Sequence, residues 1–153
     1  MANEYNTLES VIVAALKLDA WLGDTDNVAL IEEKLTPNYE AGYEHQFPRI
    51  GVFVTGEDPT ADNEQAYYIR TYNVLVEVVC QGGYAPDVDS ALKRILAELR
   101  RFFQEQNRLD TRLSDEDIIE IQNGAMDVTL NFEIEQSRVY IGQTYLKITM
   151  NQE

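Results

Sequence analysis

The sequence predicts a single α+β domain spanning 1–153, in which a mostly antiparallel sheet carries two main helices on one face. Two long stretches repeat apolar residues at helical spacing. Several shorter runs alternate apolar and polar residues with the period of a strand. The strand runs cluster between and after the helices without a regular β-α-β alternation, the order expected when helices lie on one side of an antiparallel sheet. At 153 residues the chain suits one domain with a core large enough to need no disulfide or metal staple.

The first helix follows a capping pair, Asn6 with Glu9, with Thr7 as a second candidate cap. Its apolar stripe is Leu8, Val11, Ile12, Ala15, Leu16 and Leu22, and Gly23 ends it before the polar turn at 24–27. Residues 28–35 fit neither period well and lean to a strand. Residues 38–47 read as irregular and hold Tyr39, Tyr43 and the lone histidine, His45. A strand over 49–55 alternates Ile50, Val52 and Val54 with Gly51 and Phe53. An acidic loop, 56–65, separates it from the longest strand, 67–80, and the two can pair as a hairpin. On that long strand Tyr68, Arg70, Tyr72, Val74, Val76 and Val78 share one face.

Gly82-Gly83 marks a turn, after which Asp87 or Asp89 caps the second helix. Val88, Leu92, Ile95, Leu96, Leu99, Phe102 and Phe103 form its apolar stripe. Arg94, Arg101 and Arg108 fall together on the opposite side. Past a polar link at 107–117 come a short strand at 118–122, an alternating strand at 125–135, a tight turn at 136–138 and a closing strand at 139–150.

Composition excludes several kinds of chemistry. The 27 acidic and 12 basic residues leave a formal net charge of −15, the wrong sign for a general binder of nucleic acid. One cysteine and one histidine cannot build a zinc site, and one cysteine cannot close an internal disulfide. Cys80 sits in a strand run and reads as a small buried hydrophobe. None of the four serines lies in a nucleophile elbow, and His45 lies between Glu44 and Gln46 with no triad signature. The acidic clusters at 24–26 and 115–117 lack the glycine and distant glutamate of a calcium loop. Gly82-Gly83 lies between strand and helix but without GxGxxG or GK[ST], so no phosphate cradle is expected. The expectation is a non-enzymatic protein without metal or cofactor. The apolar run at 11–16 is too short to span a membrane and no basic leader precedes it, so a cytoplasmic, reducing setting is expected.

Two features suit an interface between copies. Six of the twelve basic residues fall between Lys93 and Arg112, and a local basic patch can meet an acidic neighbour in an otherwise anionic protein. Arg94, Arg101 and Arg108 are its candidate residues. Tyrosines on or beside strands, Tyr67 and Tyr72 among them, bury area while keeping a hydroxyl to pair.

The element order is also familiar. An amphipathic first helix leads to a proline-then-strand segment, Phe47-Pro48-Arg49-Ile50-Gly51-Val52-Phe53-Val54. A polar loop, a tyrosine-bearing strand from Tyr68 to Val79 and an Asp-capped helix follow. The closing strand carries Arg138, Tyr140, Tyr145, Leu146 and Ile148. This order resembles the tail terminator, or tail completion, proteins of long-tailed bacteriophages. The resemblance implies a structural virion protein assembled in the host cytoplasm. It would form a homo-oligomeric ring, a hexamer, that caps the tail tube protein and gives the head–tail connector a docking surface in the neck. DNA would pass through the centre without being specifically bound, and a negative lumen would repel it. The acidic loop residues Glu57, Asp58, Asp62 and Glu64 are candidates for a lumen-facing or partner-facing element. Two other readings stay open at this point: another neck component, or a cytoplasmic α+β module that binds a ligand or partner on its open sheet face.

Overall fold

The computed structural model describes residues 4–33, 47–58, 69–82, 85–106, 113, 117–134 and 137–151. Two helices and five strands run in the order α1 (Glu4–Leu18), β1 (Leu30–Glu33), β2 (Arg49–Glu57), β3 (Ile69–Gly82), α2 (Ala85–Gln106), β4 (Ile118–Ile134) and β5 (Ser137–Asn151). The strands form one sheet in the order β1-β2-β3-β5-β4. Only β1 and β2 pair in parallel, and the other three pairings are antiparallel. The predicted α+β architecture is present, with both helices on one face of the sheet.

The apolar stripes explain how the helices dock. Leu8, Ile12, Val13 and Leu16 of α1 are buried over β1 and β2. All seven predicted residues of the α2 stripe, Val88 to Phe103, are buried, and α2 covers β3, β5 and part of β4. Each fully buried side chain of this kind contributes about 1.5–3 kcal/mol against exposure. From the sheet, Ile50, Val52, Val54, Tyr72, Val74, Val76, Val78, Leu146 and Ile148 rise to meet them. Gly142 lets α2 approach β5 closely, because a Cβ there would lie 2.8 Å from Leu96 Cδ1 and 3.0 Å from Leu92 Cδ1.

Several boundaries differ from the sequence reading. Helix α1 starts at Glu4, so Asn6 and Thr7 lie inside it and cannot cap it. Helix α2 starts at Ala85, which puts Asp87 in its first turn, favourable for the helix dipole, and Asp89 beyond the cap in an ion pair with Lys93. The two strands expected at 118–122 and 125–135 are one strand, β4, whose ladder is irregular at 118–120, 123–126 and 129–132. Ser137 and Arg138, expected in a turn, already pair with Ile134 and Glu133. The weak strand at 28–35 is β1, and the 49–55 and 67–80 runs do pair antiparallel as β2 and β3. Tyr72, expected at a subunit interface, is only 1% exposed and belongs to the core beneath the helices.

Candidate interaction surface

The sheet face opposite the helices carries the site candidates. Strand parity fixes which residues point there. On β3 these are Thr71, Asn73, Leu75, Glu77 and Val79, the alternates of the buried set. Register then adds Phe53 of β2 and Tyr145 of β5, which flank Leu75 in one cross-strand row. Phe53 is 36% and Tyr145 39% exposed, so an apolar row crosses the middle of this face. Polar rows border it on both sides. Glu77 accepts from Gln143 Nε2 at 3.2 Å, and Gln143 Oε1 accepts from the Tyr145 hydroxyl at 2.9 Å. On the other side Asn73 and Lys147 are register partners.

The two described acids of the 56–65 loop separate. A bulge between Val54 and Gly56 reverses the parity of β2, so Glu57 falls opposite Tyr72 on the helix side, where it pairs with Arg70 at 3.2 Å. Asp58 turns to the open face. It accepts from Lys147 Nζ at 2.8 Å and Asn73 Nδ2 at 2.9 Å, and these bonds hold its carboxyl below the ordinary value of 3.8. Asp62, Glu64, Tyr67, Arg108 and His45 lie outside the described residues.

The ionised groups on the open face are unbalanced. Asp58, Glu77, Glu120 and Asp127 face Lys147 alone among the described residues, apart from one internal pair, Arg49 with Glu32. Arg49 is buried at 3%, lies over the Phe47 ring at 5.8 Å, and keeps its Nη1 without a hydrogen-bond partner among the described residues. A cavity of about 430 Å³ crosses the face from Thr55 of β2 past Asn73 of β3 and Tyr145 and Lys147 of β5 to Gln122 and Asn123 of β4. Its Lys147 and Asn73 donors are already engaged by Asp58.

The basic candidates on α2 are largely neutralised within the chain. Arg101 reaches Glu98 at 2.6 Å, Glu105 at 2.9 Å and Asp19 at 2.8 Å. Arg94 pairs with Glu98 at 3.2 Å and lies over the Trp21 ring at 5.1 Å. Of the patch read from sequence, Arg94 and Arg101 are therefore held in ion pairs, and the Arg101–Asp19 pair fastens α2 to the turn after α1. Helix spacing accounts for the pairs with Glu98 and Glu105, but it cannot reveal Asp19, which is 82 residues from Arg101.

Cys80 is buried, and desolvation pushes its thiol up to about 12, which disfavours the thiolate. No group of three or more metal-ligating side chains occurs among the described residues. No helix of the described residues is long and apolar enough to cross a membrane. No protein-family model matches the chain, and no curated protein matches it in sequence.

Proposed function

We propose that the chain is a subunit of a closed ring of the tail-terminator kind, which caps a tail tube, joins it to the head–tail connector and lets DNA pass. In this reading the helices form the outside of the ring and the open sheet face lines the lumen. The observation that carries it is the sidedness of the molecule: both helices occupy one face, and the other presents Asp58, Glu77, Glu120 and Asp127 against Lys147. An acidic wall repels phosphates within a Debye length, about 8 Å at physiological salt, so duplex DNA slides without sticking. The central row Phe53, Leu75 and Tyr145 adds apolar wall between the charged rows.

The cavity beside Tyr145 supports a second reading, a module that binds a ligand or partner on the open face. Negative-stain imaging of concentrated protein separates the two. The ring reading expects annular particles with an open centre that do not retain duplex DNA at physiological salt. Compact particles without a hole at every concentration would contradict it, as would rings that hold DNA tightly.

A further inference from the structure

Among the described residues the sheet is bounded by β1 and β4, on opposite sides of the molecule. We infer that these edges meet between neighbouring copies, β4 of one copy receiving β1 of the next, so that the sheet runs on from subunit to subunit. The inference rests on the ring reading and names the surfaces that would close it. A joint between two different patches is heterologous, the kind that generates rings rather than two-fold dimers.

Strand directions favour this joint. β1 runs with β2, β3 runs against β2, β5 against β3, and β4 against β5. β4 therefore points opposite to β1. A neighbour placed beside it with its helices on the same side pairs β1 antiparallel to β4, the more stable arrangement.

The irregularities in β4 divide its regular pairing into short runs, one of which is Met126 to Thr129. Elsewhere on the strand they blunt the edge against promiscuous pairing. The Ala29 N–H is donated inward to the Pro48 carbonyl, so by alternation the outward backbone groups of this edge are those of Leu30 and Glu32.

Shape and charge select the register. Val128 is 43% exposed and is the partner of Gly142, which places it on the helix side of β4. At the other edge a cavity of about 350 Å³ opens between the end of α1 and β1, lined by Lys17, Thr25, Val28, Ala29, Leu30 and Ile31. Setting Val128 opposite Ala29 seats the valine at this cavity. The same register places Met126 opposite Ile31 and Asp127 opposite Leu30, so the two acids Asp127 and Glu32 do not face each other. Lys17, which lines this cavity, has no carboxylate partner among the described residues, and Glu120 and Asp127 of β4 have no cationic one.

Paired cysteines test the joint. Directly opposite residues of an antiparallel pair have Cβ atoms about 4.5–5.5 Å apart, close enough for a disulfide after slight adjustment. Ala29→Cys with Val128→Cys, mildly oxidised at high protein concentration, should give a ladder of reducible multimers that ends at the ring. Either single variant should stay monomeric on a denaturing gel. Dimers from Val128→Cys alone would show β4 meeting β4 and overturn the proposal. Native mass spectrometry of the same double variant separates the failures. Intact rings without cross-links would overturn the edge joint and leave the ring reading standing, whereas monomer without cross-links would overturn both.

Discussion

A carboxylate placed between a helix and a sheet needs a donor, and Glu9 finds one in the backbone N–H of Val54 at 2.9 Å. Glu9 is 2% exposed and lies among Leu8, Ile12 and Val13, and its partner sits at the bulge where the β2–β3 ladder breaks. Removing the acceptor leaves a buried amide unsatisfied, so Glu9→Ala should cost about 1–3 kcal/mol while Glu9→Gln keeps most of the stability. Urea denaturation midpoints of the two variants check this. Sequence reading assigned Glu9 to a local cap because it lay three residues after Asn6. The clue to the truth was its place on the apolar stripe, but its partner is 45 residues away and outside any local rule. Cys80 is the opposite case, since its strand position already announced a buried thiol. A thiol-reactive dye should leave it unlabelled in the native protein and label it fully in denaturant.

The turn after α1 shows how elements are fastened. Asp19 Oδ2 accepts from the N–H groups of Leu22 at 2.9 Å and Trp21 at 3.2 Å, and from Arg101 of α2 at 2.8 Å. Burial alone would raise its carboxyl, but the bonds from Leu22, Arg101 and Trp21 outweigh burial and hold it below the ordinary value of 3.8. A lowered folded value stabilises the native state at neutral pH, and that stabilisation is lost as pH falls through the folded value. Asp19→Ala should therefore cost about 1–2 kcal/mol near neutrality. In thermal melts the gap to the natural chain should shrink as the solution is acidified past the ordinary aspartate range. Gly23 closes the same turn, where a Cβ would lie 2.1 Å from the Lys17 carbonyl oxygen. Gly23→Ala must move backbone, whereas Gly142→Ala meets only the ends of Leu92 and Leu96 and should cost about 1–3 kcal/mol. The melting temperature of Gly23→Ala should be the lower of the two. Helical and strand periods located these elements well, because each stripe is a local pattern. They split β4 in two, leaving Asn123-Gly124 between the runs 118–122 and 125–135. In the fold the ladder is irregular there, and a Cβ at Gly124 would lie 2.8 Å from the Tyr145 carbonyl oxygen.

The whole molecule has a covered face and an open face, and that sidedness was legible in the clean alternation of β2 and β3. Which acids populate the open face was not, because one extra residue at Thr55 sends Glu57 to one side and Asp58 to the other. The pairs of Arg94 and Arg101 with Glu98 follow from helix spacing, but the tie from Arg101 to the distant Asp19 was not legible. Among the described residues the acidic sheet face lies between the edge strands β1 and β4, and the proposed ring rests on that arrangement. Native mass spectrometry of the natural chain over a wide concentration range decides this. A closed hexamer of about 105 kDa, six times the chain mass of 17.5 kDa, is the expected species at high concentration. A monomer at every concentration, or a dimer that never grows further, would contradict the ring.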